Sequence, residues 1–195
     1  MAAPRLLLAS ASPRRLDLLA QLGLVPDQVS PADLDERALP DERPDQTAKR
    51  LAAEKARVAA GAAPDRLCLA ADTVVALGRR ALPKAEDEAA VAACLSQLSG
   101  RSHSVWTAVS AVLNGSVRTR LVGARVTFKR LTRAEIEAYA AHGEGLGKAG
   151  GYAIQGRAGA FVSHVSGSYT AIVGLPLLET ANLLESFGLP VRSKA

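Results

Sequence analysis

A chain of 195 residues, 48% apolar and 22% charged along its whole length, buries a full core without disulfides or a structural metal, which excludes a long disordered polymer. Its net charge of +5 favours an anionic partner, which charge alone leaves open between nucleic acid, a membrane surface and a phosphorylated small molecule; 4% aromatics and no long Lys/Arg run supply too few stacking platforms and no basic arm, which moves the weight to a small anionic ligand. No apolar run approaches the roughly 18 residues that span a bilayer, and Cys68 and Cys94, without CxxC spacing, read as small buried hydrophobes of a reducing, cytoplasmic compartment.

Arg5 to Ala9 is an apolar strand signal and not a targeting segment, because the run is brief and Arg14 and Arg15 follow at once. Ser12-Pro13 places an N-cap before a proline at the first helical position, and Leu16, Leu18, Leu19 and Leu22 carry a helix to a stop at Gly23. A Pro- and acid-rich connection from Pro31 to Pro44 precedes a helix over Gln46 to Ala60. Leu67 to Leu77 is an apolar strand interrupted by Asp72. After a turn over Gly78 to Pro83, Glu86, Asp87 and Glu88 occupy the first turn of a helix ending near Ser99-Gly100, where the dipole favours acids. Asn114-Gly115 joins strands Ser104 to Leu113 and Val117 to Lys129 as a hairpin. Thr132 caps a helix reaching His142, and a glycine-rich stretch runs from Gly143 to Gly159. A short strand, Phe161 to Val165, then turns at Ser166-Gly167, an amphipathic helix covers Pro176 to Phe187, and Arg192 to Ala195 read as frayed. Alternating strands and helices without an internal repeat predict a single α/β or mixed α+β domain over 1–195.

Three segments are chemically anomalous. Arg14 and Arg15 open a helix where the dipole is already positive; either an anion bound by the turn, Ser10 and Ser12 offsets the repulsion, or both arginines splay into solvent and Ser12 is only a cap. Asp72 is a carboxylate inside a core strand, so it is salt-bridged, metal-bound or facing a cleft. The loop acids Asp35 and Glu36 and the lysines Lys55, Lys84 and Lys148 are the charges available to complete a metal and triphosphate site, each being individually compatible with a solvated surface. In Gly147 to Gly156 the glycines permit close backbone approach and Gln155 offers paired hydrogen bonds to a base edge, although a surface loop has the same composition. Gly145, Gly147 and Gly150 spell GxGxxG after a helix, which fails the dinucleotide context, and His142 and Ala149 stand where a P-loop needs glycine and a hydroxyl. His103, His142 and His164 form no HExxH or triad pattern.

Ala9 to Arg15 (Ala-Ser-Ala-Ser-Pro-Arg-Arg), Arg50 to Ala56, Ala71 to Val75, Leu98 to Arg101, Lys148 to Gly156 and Val173 to Leu177 together resemble the Maf family of nucleotide pyrophosphatases, in order and over essentially the whole chain. The resemblance implies an inosine triphosphatase-like α/β fold, an elongated mixed sheet flanked by helices with a deep cleft between two lobes, and a homodimer. It implies hydrolysis of a nucleoside triphosphate to the monophosphate and pyrophosphate with Mg2+ or Mn2+. Asp72 takes the catalytic position, as proton acceptor or metal ligand; Ser10, Arg14 and Arg15 match the phosphate-binding turn; Glu36, a second candidate metal ligand, with Lys55, Lys84 and Lys148 lines the cleft. The set Arg14, Thr73 and Gln155 resembles the branch acting on thymidine and uridine triphosphates and not the one preferring 7-methylguanosine triphosphate. Two positions depart from the family pattern: Lys84-Ala85 replaces Lys-Pro, and Gly147 replaces an acid before Lys148. The rival expectations are a house-cleaning enzyme for modified nucleotides and a non-catalytic, nucleic-acid-binding regulator of septum formation.

Overall fold

The computed structural model describes residues 3–191, so the frayed reading of Arg192 to Ala195 lies outside the described residues. β1 (Leu6–Leu8), β2 (Gln28–Val29) and β3 (Leu67–Leu77) run parallel, with crossovers carrying α1 (Pro13–Gln21) and α2 (Pro44–Ala62). From β3 the sheet turns antiparallel through β5 (Ser102–Leu113), β6 (Ser116–Phe128) and β7 (Val162–Ser166), giving the order β2-β1-β3-β5-β6-β7. The short β4 (Arg80–Ala81) also pairs with β3, making this a seven-stranded mixed sheet. Helices α3 (Glu88–Leu98), α4 (Arg133–His142), α5 (Tyr169–Val173) and α6 (Leu177–Ser186) complete a mixed α/β fold. None of the described helices is long and apolar enough to cross a membrane.

The alternation of β3 explains why both faces of the sheet are covered. Leu67, Leu69, Ala71 and Val75 enter the larger core with Leu19, Leu95, Phe128 and Leu175, while Cys68 and Ala70 pack with Ala56 and Ala59 of α2. Burying each large aliphatic side chain contributes about 1.5–3 kcal/mol. The buried stripe Ala48, Ala52, Ala56 and Ala59 at helical spacing lets α2 lie close against the strands, which carries the neighbouring Lys55 over β3.

β1 pairs with β3 only at Leu67, Cys68 and Leu69, and β4 takes the same edge only at Ala76 and Leu77, while β5 occupies the opposite edge from Cys68 to Ala76. Among the described residues, the stretch of β3 containing Asp72 and Thr73 therefore has no strand beside it on one edge, and this break in the sheet locates the site.

Several local expectations need adjustment. α2 begins at Pro44, with Arg43 as N-cap and Gln46 closing the capping box. Asp87 is the N-cap of α3, accepting the Ala90 N–H at 2.7 Å, so Glu86 lies outside the helix. Ser12 occupies the N-cap position of α1, but its hydroxyl caps nothing. The two-residue β2 and five-residue α5 were too short to leave a periodic signal, and a 3-10 turn at Arg157–Phe161 delays the last strand to Val162. The hairpin holds, with Asn114 and Gly115 both at positive φ.

Candidate active site

The break beside β3 opens into a cleft of 780 Å³, a volume suited to a nucleotide-sized ligand. Ser10, Arg14, Arg15, Glu36, Lys55, Asp72, Thr73, Lys84, Lys148 and Gln155 all line it. The tertiary fold thus brings together every residue singled out for the site from the sequence except Asp35, which turns away to form an exposed ion pair with Arg37 at 2.6 Å.

Asp72 is buried, and it is paired: its Oδ1 lies 2.6 Å from Lys55 Nζ. Lys55 Nζ is also 2.6 Å from Glu36 Oε1, and Lys84 donates to Glu36 Oε2. These contacts form a charge chain Asp72–Lys55–Glu36–Lys84, in which Lys55 is a buried cation and not a solvated one. Burial alone would raise the Glu36 carboxyl, but hydrogen bonds from Lys55 and Lys84 hold it at about 2. Asp72 Oδ2 has no protein hydrogen-bond partner among the described residues, whereas both Glu36 oxygens are engaged.

Neither arginine of the first turn splays into solvent. Arg15 donates from Nε to the Gly174 carbonyl at 2.9 Å and from Nη1 to Ser10 Oγ at 2.9 Å, tying the end of β1 to the α5–α6 connection. Burial lowers the pKa of Arg15 against the opposing field of Asp72, and burial likewise lowers that of Arg14. Arg14 Nε is buried without an acceptor among the described residues. A buried, unpaired guanidinium N–H is costly, and an anion entering the cleft would supply what it lacks.

The glycine-rich segment forms the opposite wall. Ala85 N–H donates to the Lys148 carbonyl at 3.1 Å and Gly147 N–H to the Ala85 carbonyl at 2.7 Å, so alanine in place of proline contributes a donor that pins the loop. With Gly147 in place of an acid, Lys148 Nζ finds only the Leu146 carbonyl among the described residues, at 3.1 Å. Desolvation, then the nearby Arg14, depresses its pKa. Gln155 is exposed in the cleft. Thr73 Oγ1 is hydrogen-bonded to Thr107 Oγ1 at 3.0 Å, and Thr107 gives its own proton to the Ala171 carbonyl at 2.7 Å.

Sequence reasoning missed the role of the Gly174 carbonyl, which anchors Arg15, and the pair Tyr139 and Glu144, whose contacts hold this wall. Gly174 lies within the Val173 to Leu177 motif, but the role of its carbonyl shows only in the fold; no motif marks Tyr139 or Glu144, because both accept from distant backbone N–H groups. His103, whose pKa burial pushes down to about 4, is hydrogen-bonded to Tyr152 at 2.8 Å, while His142 and His164 are exposed.

Among the described residues no cluster of three or more His, Cys, Asp or Glu side chains has metal-holding geometry. Magnesium is commonly held by only one or two carboxylates, with phosphates and waters completing its shell. The unpartnered oxygen of Asp72 fits that donor set; Glu36 would have to exchange a lysine for the ion.

The model of the Maf-like protein family matches residues 5–187. A dTTP/UTP pyrophosphatase of Caulobacter vibrioides is 59% identical over 188 residues, covering 96% of this chain and 97% of that one. A dTTP/UTP pyrophosphatase of Maricaulis maris is 56% identical over 192 residues, covering 98% and 92% respectively. A solved structure of a HAM1 protein from Coxiella burnetii overlaps partially, with a TM-score of 0.47 at 19% identity over 66% of this chain and 74% of that chain.

Proposed function

The chain belongs to the Maf-like family, and from that premise we propose that it hydrolyses nucleoside triphosphates, with dTTP and UTP preferred, to the monophosphate and pyrophosphate. The observation that carries this reading is the placement of Asp72, with one free oxygen, in the same cleft as the acceptor-less Arg14. Five cations, Arg14, Arg15, Lys55, Lys84 and Lys148, face three carboxylates, Glu36, Asp72 and Glu144. That surplus of two positive charges (five less three) draws in a triphosphate and falls short of its charge, so a divalent cation completes the balance.

In the proposed reaction Asp72 orients a water toward the α-phosphorus and takes its proton as the new phosphorus–oxygen bond forms. The bond from the α-phosphorus to the bridging oxygen breaks, and pyrophosphate leaves with that electron pair. Arg14, Ser10, Lys84 and Lys148 hold phosphate oxygens, while Arg15 keeps Ser10 in place. In the alternative role Asp72 would use its free oxygen to hold a Mg2+ or Mn2+ ion instead of accepting the proton, and the ion would neutralise phosphate charge and acidify bound water. Gln155 reads the base, and Arg14 and Thr73 shape its surroundings.

The cytoplasm is the proposed compartment, consistent with two buried free cysteines, Cys68 and Cys94. The homodimer implied by the family resemblance is read directly by light scattering. The reaction is tested by turnover in 18O-labelled water with Mg2+ over a panel of canonical and 7-methylated nucleotides. The expected result is label in the monophosphate, none in pyrophosphate, and fastest conversion of dTTP and UTP. Orthophosphate release overturns the proposed bond cleavage. No turnover by folded protein, with salt-dependent binding of oligonucleotides that grows with length, moves the assignment to a nucleic-acid-binding role.

A further inference from the structure

If Gln155 reads the base, something must fix its position, because its side chain stands exposed in the cleft on a glycine-bounded loop. The backbone is tied on both sides of it. Before it, the buried Ala153 N–H donates to the Tyr139 oxygen at 3.1 Å; after it, the Arg157 and Ala158 N–H groups donate to Glu144 Oε1 at 3.0 Å and Oε2 at 3.4 Å. The two ties are themselves joined, since Tyr139 donates its hydroxyl proton to Glu144 Oε2 at 2.8 Å.

The proton directions make this a directed clasp. The single Tyr139 proton is committed to the carboxylate, so only lone pairs face Ala153, and Glu144 receives three donors, which favours its ionised form. Burial would raise the Glu144 carboxyl, but the Arg157 N–H and the Tyr139 hydroxyl hold it below its ordinary value. A Cβ at Gly156 would overlap the Glu144 carboxylate, so glycine immediately after Gln155 is what lets the clasp close. Neither Tyr139 nor Glu144 is bonded to Asp72, Lys55, Glu36 or Lys84.

We propose that Tyr139 and Glu144 are positioning residues for base selection, a paired clasp on the backbone at Ala153 and Arg157 that sets where the Gln155 amide lies in the cleft. The assignment rests on the reading of Gln155 as the base-recognition group. It places selectivity under the control of two side chains that act through the loop backbone and carry out no chemistry.

The test is steady-state kcat and KM for UTP and GTP in the wild type, Tyr139→Phe, Glu144→Gln, Gln155→Ala and the double variant Tyr139→Phe/Gln155→Ala. Phenylalanine keeps the ring against Phe161, 5.4 Å between centroids, and removes only the hydroxyl. In Tyr139→Phe the KM for UTP should rise on the order of tenfold, with kcat changing by less than about twofold. The kcat/KM preference for UTP over GTP should fall on the order of tenfold in both clasp variants. The double variant should be no less selective than Gln155→Ala alone, because both changes act through one contact. Selectivity is a ratio within one preparation, so a misfolded fraction cancels from it. A Gln155→Ala variant that loses preference while Tyr139→Phe and Glu144→Gln retain it overturns the clasp and spares the base reading. Full additivity in the double variant also overturns the clasp. An unchanged preference in Gln155→Ala alone overturns the base reading, and the clasp with it.

Discussion

Replacing Asp72 with asparagine keeps the shape of the side chain and removes its charge. Lys55 Nζ then loses one of two carboxylates, each 2.6 Å away, while only 8% of the lysine side chain is exposed. Stripping a buried ion of its only partner costs about 3–5 kcal/mol. Here Glu36 remains, and the asparagine carbonyl can still accept from the ammonium, so a charge-assisted hydrogen bond weakens to a neutral one at a cost of about 1 kcal/mol. For a domain of this size that lowers the Tm by about 2–4 °C. A lost proton acceptor, in contrast, slows turnover by about 10²–10⁴-fold, equivalent to about 3–5 kcal/mol of barrier. Pyrophosphate release at saturating dTTP and Mg2+, measured beside thermal unfolding by circular dichroism, separates the two effects. A folded variant whose kcat stays within about tenfold of wild type would refute the catalytic role and leave Asp72 as a counter-ion for Lys55. A Tm loss beyond about 10 °C would instead refute the argument that Glu36 shares the lysine.

Arg14→Ala removes a guanidinium whose Nε is buried without an acceptor, so the Tm of the free protein should hold or rise while the KM for dTTP increases at least about tenfold; a marked fall in Tm without nucleotide would contradict this. Gly150→Ala forces a side chain onto a residue at φ +68° and brings its Cβ to 2.8 Å from Val75 Cγ1, which should cost about 1–3 kcal/mol; an unchanged urea midpoint would show that the loop relaxes freely. When folded, both Glu36 and Glu42 titrate near about 2 against an ordinary 4.5. For Glu36, lysine hydrogen bonds outweigh burial; for Glu42, whose side chain also bonds Leu39 and Thr47, the main cause is the Arg50 fork at 2.7 and 2.8 Å. Because the folded values are depressed, their stabilisation is complete above the unfolded value and is lost as the pH falls from about 4.5 toward about 2. Urea midpoints over that window should decline less steeply in Glu42→Gln, and identical slopes would remove the fork from the acid response.

Much of this molecule is local in origin. Pro13 after Ser12, Asn114-Gly115 and the apolar run Leu67 to Leu77 each encode their element within a few neighbours, so their positions follow from the sequence to within a few residues. The anomaly of a carboxylate in that run pointed to Asp72, and the motifs in register brought the other candidates with it. What those signals did not contain was the gap in the sheet. It exists because β1 and β4 each cover only a few residues of one edge of β3, a consequence of where two distant segments stop.

The tertiary structure likewise decided between neighbours that look alike in sequence. Glu36 meets Lys55 and Lys84 while Asp35 meets Arg37 in solvent, and Arg15 braces Ser10 and Gly174 while Arg14 keeps a buried N–H without an acceptor. The Tyr139–Glu144 clasp is of the same kind, since its partners are backbone N–H groups that every residue but proline possesses. Sequence pattern by itself determined which residue types were present and which elements would carry them. Burial and long-range contact alone decided which charges lost their water and had to find a partner, because desolvation is a property of the packed fold and has no counterpart in the order of residues.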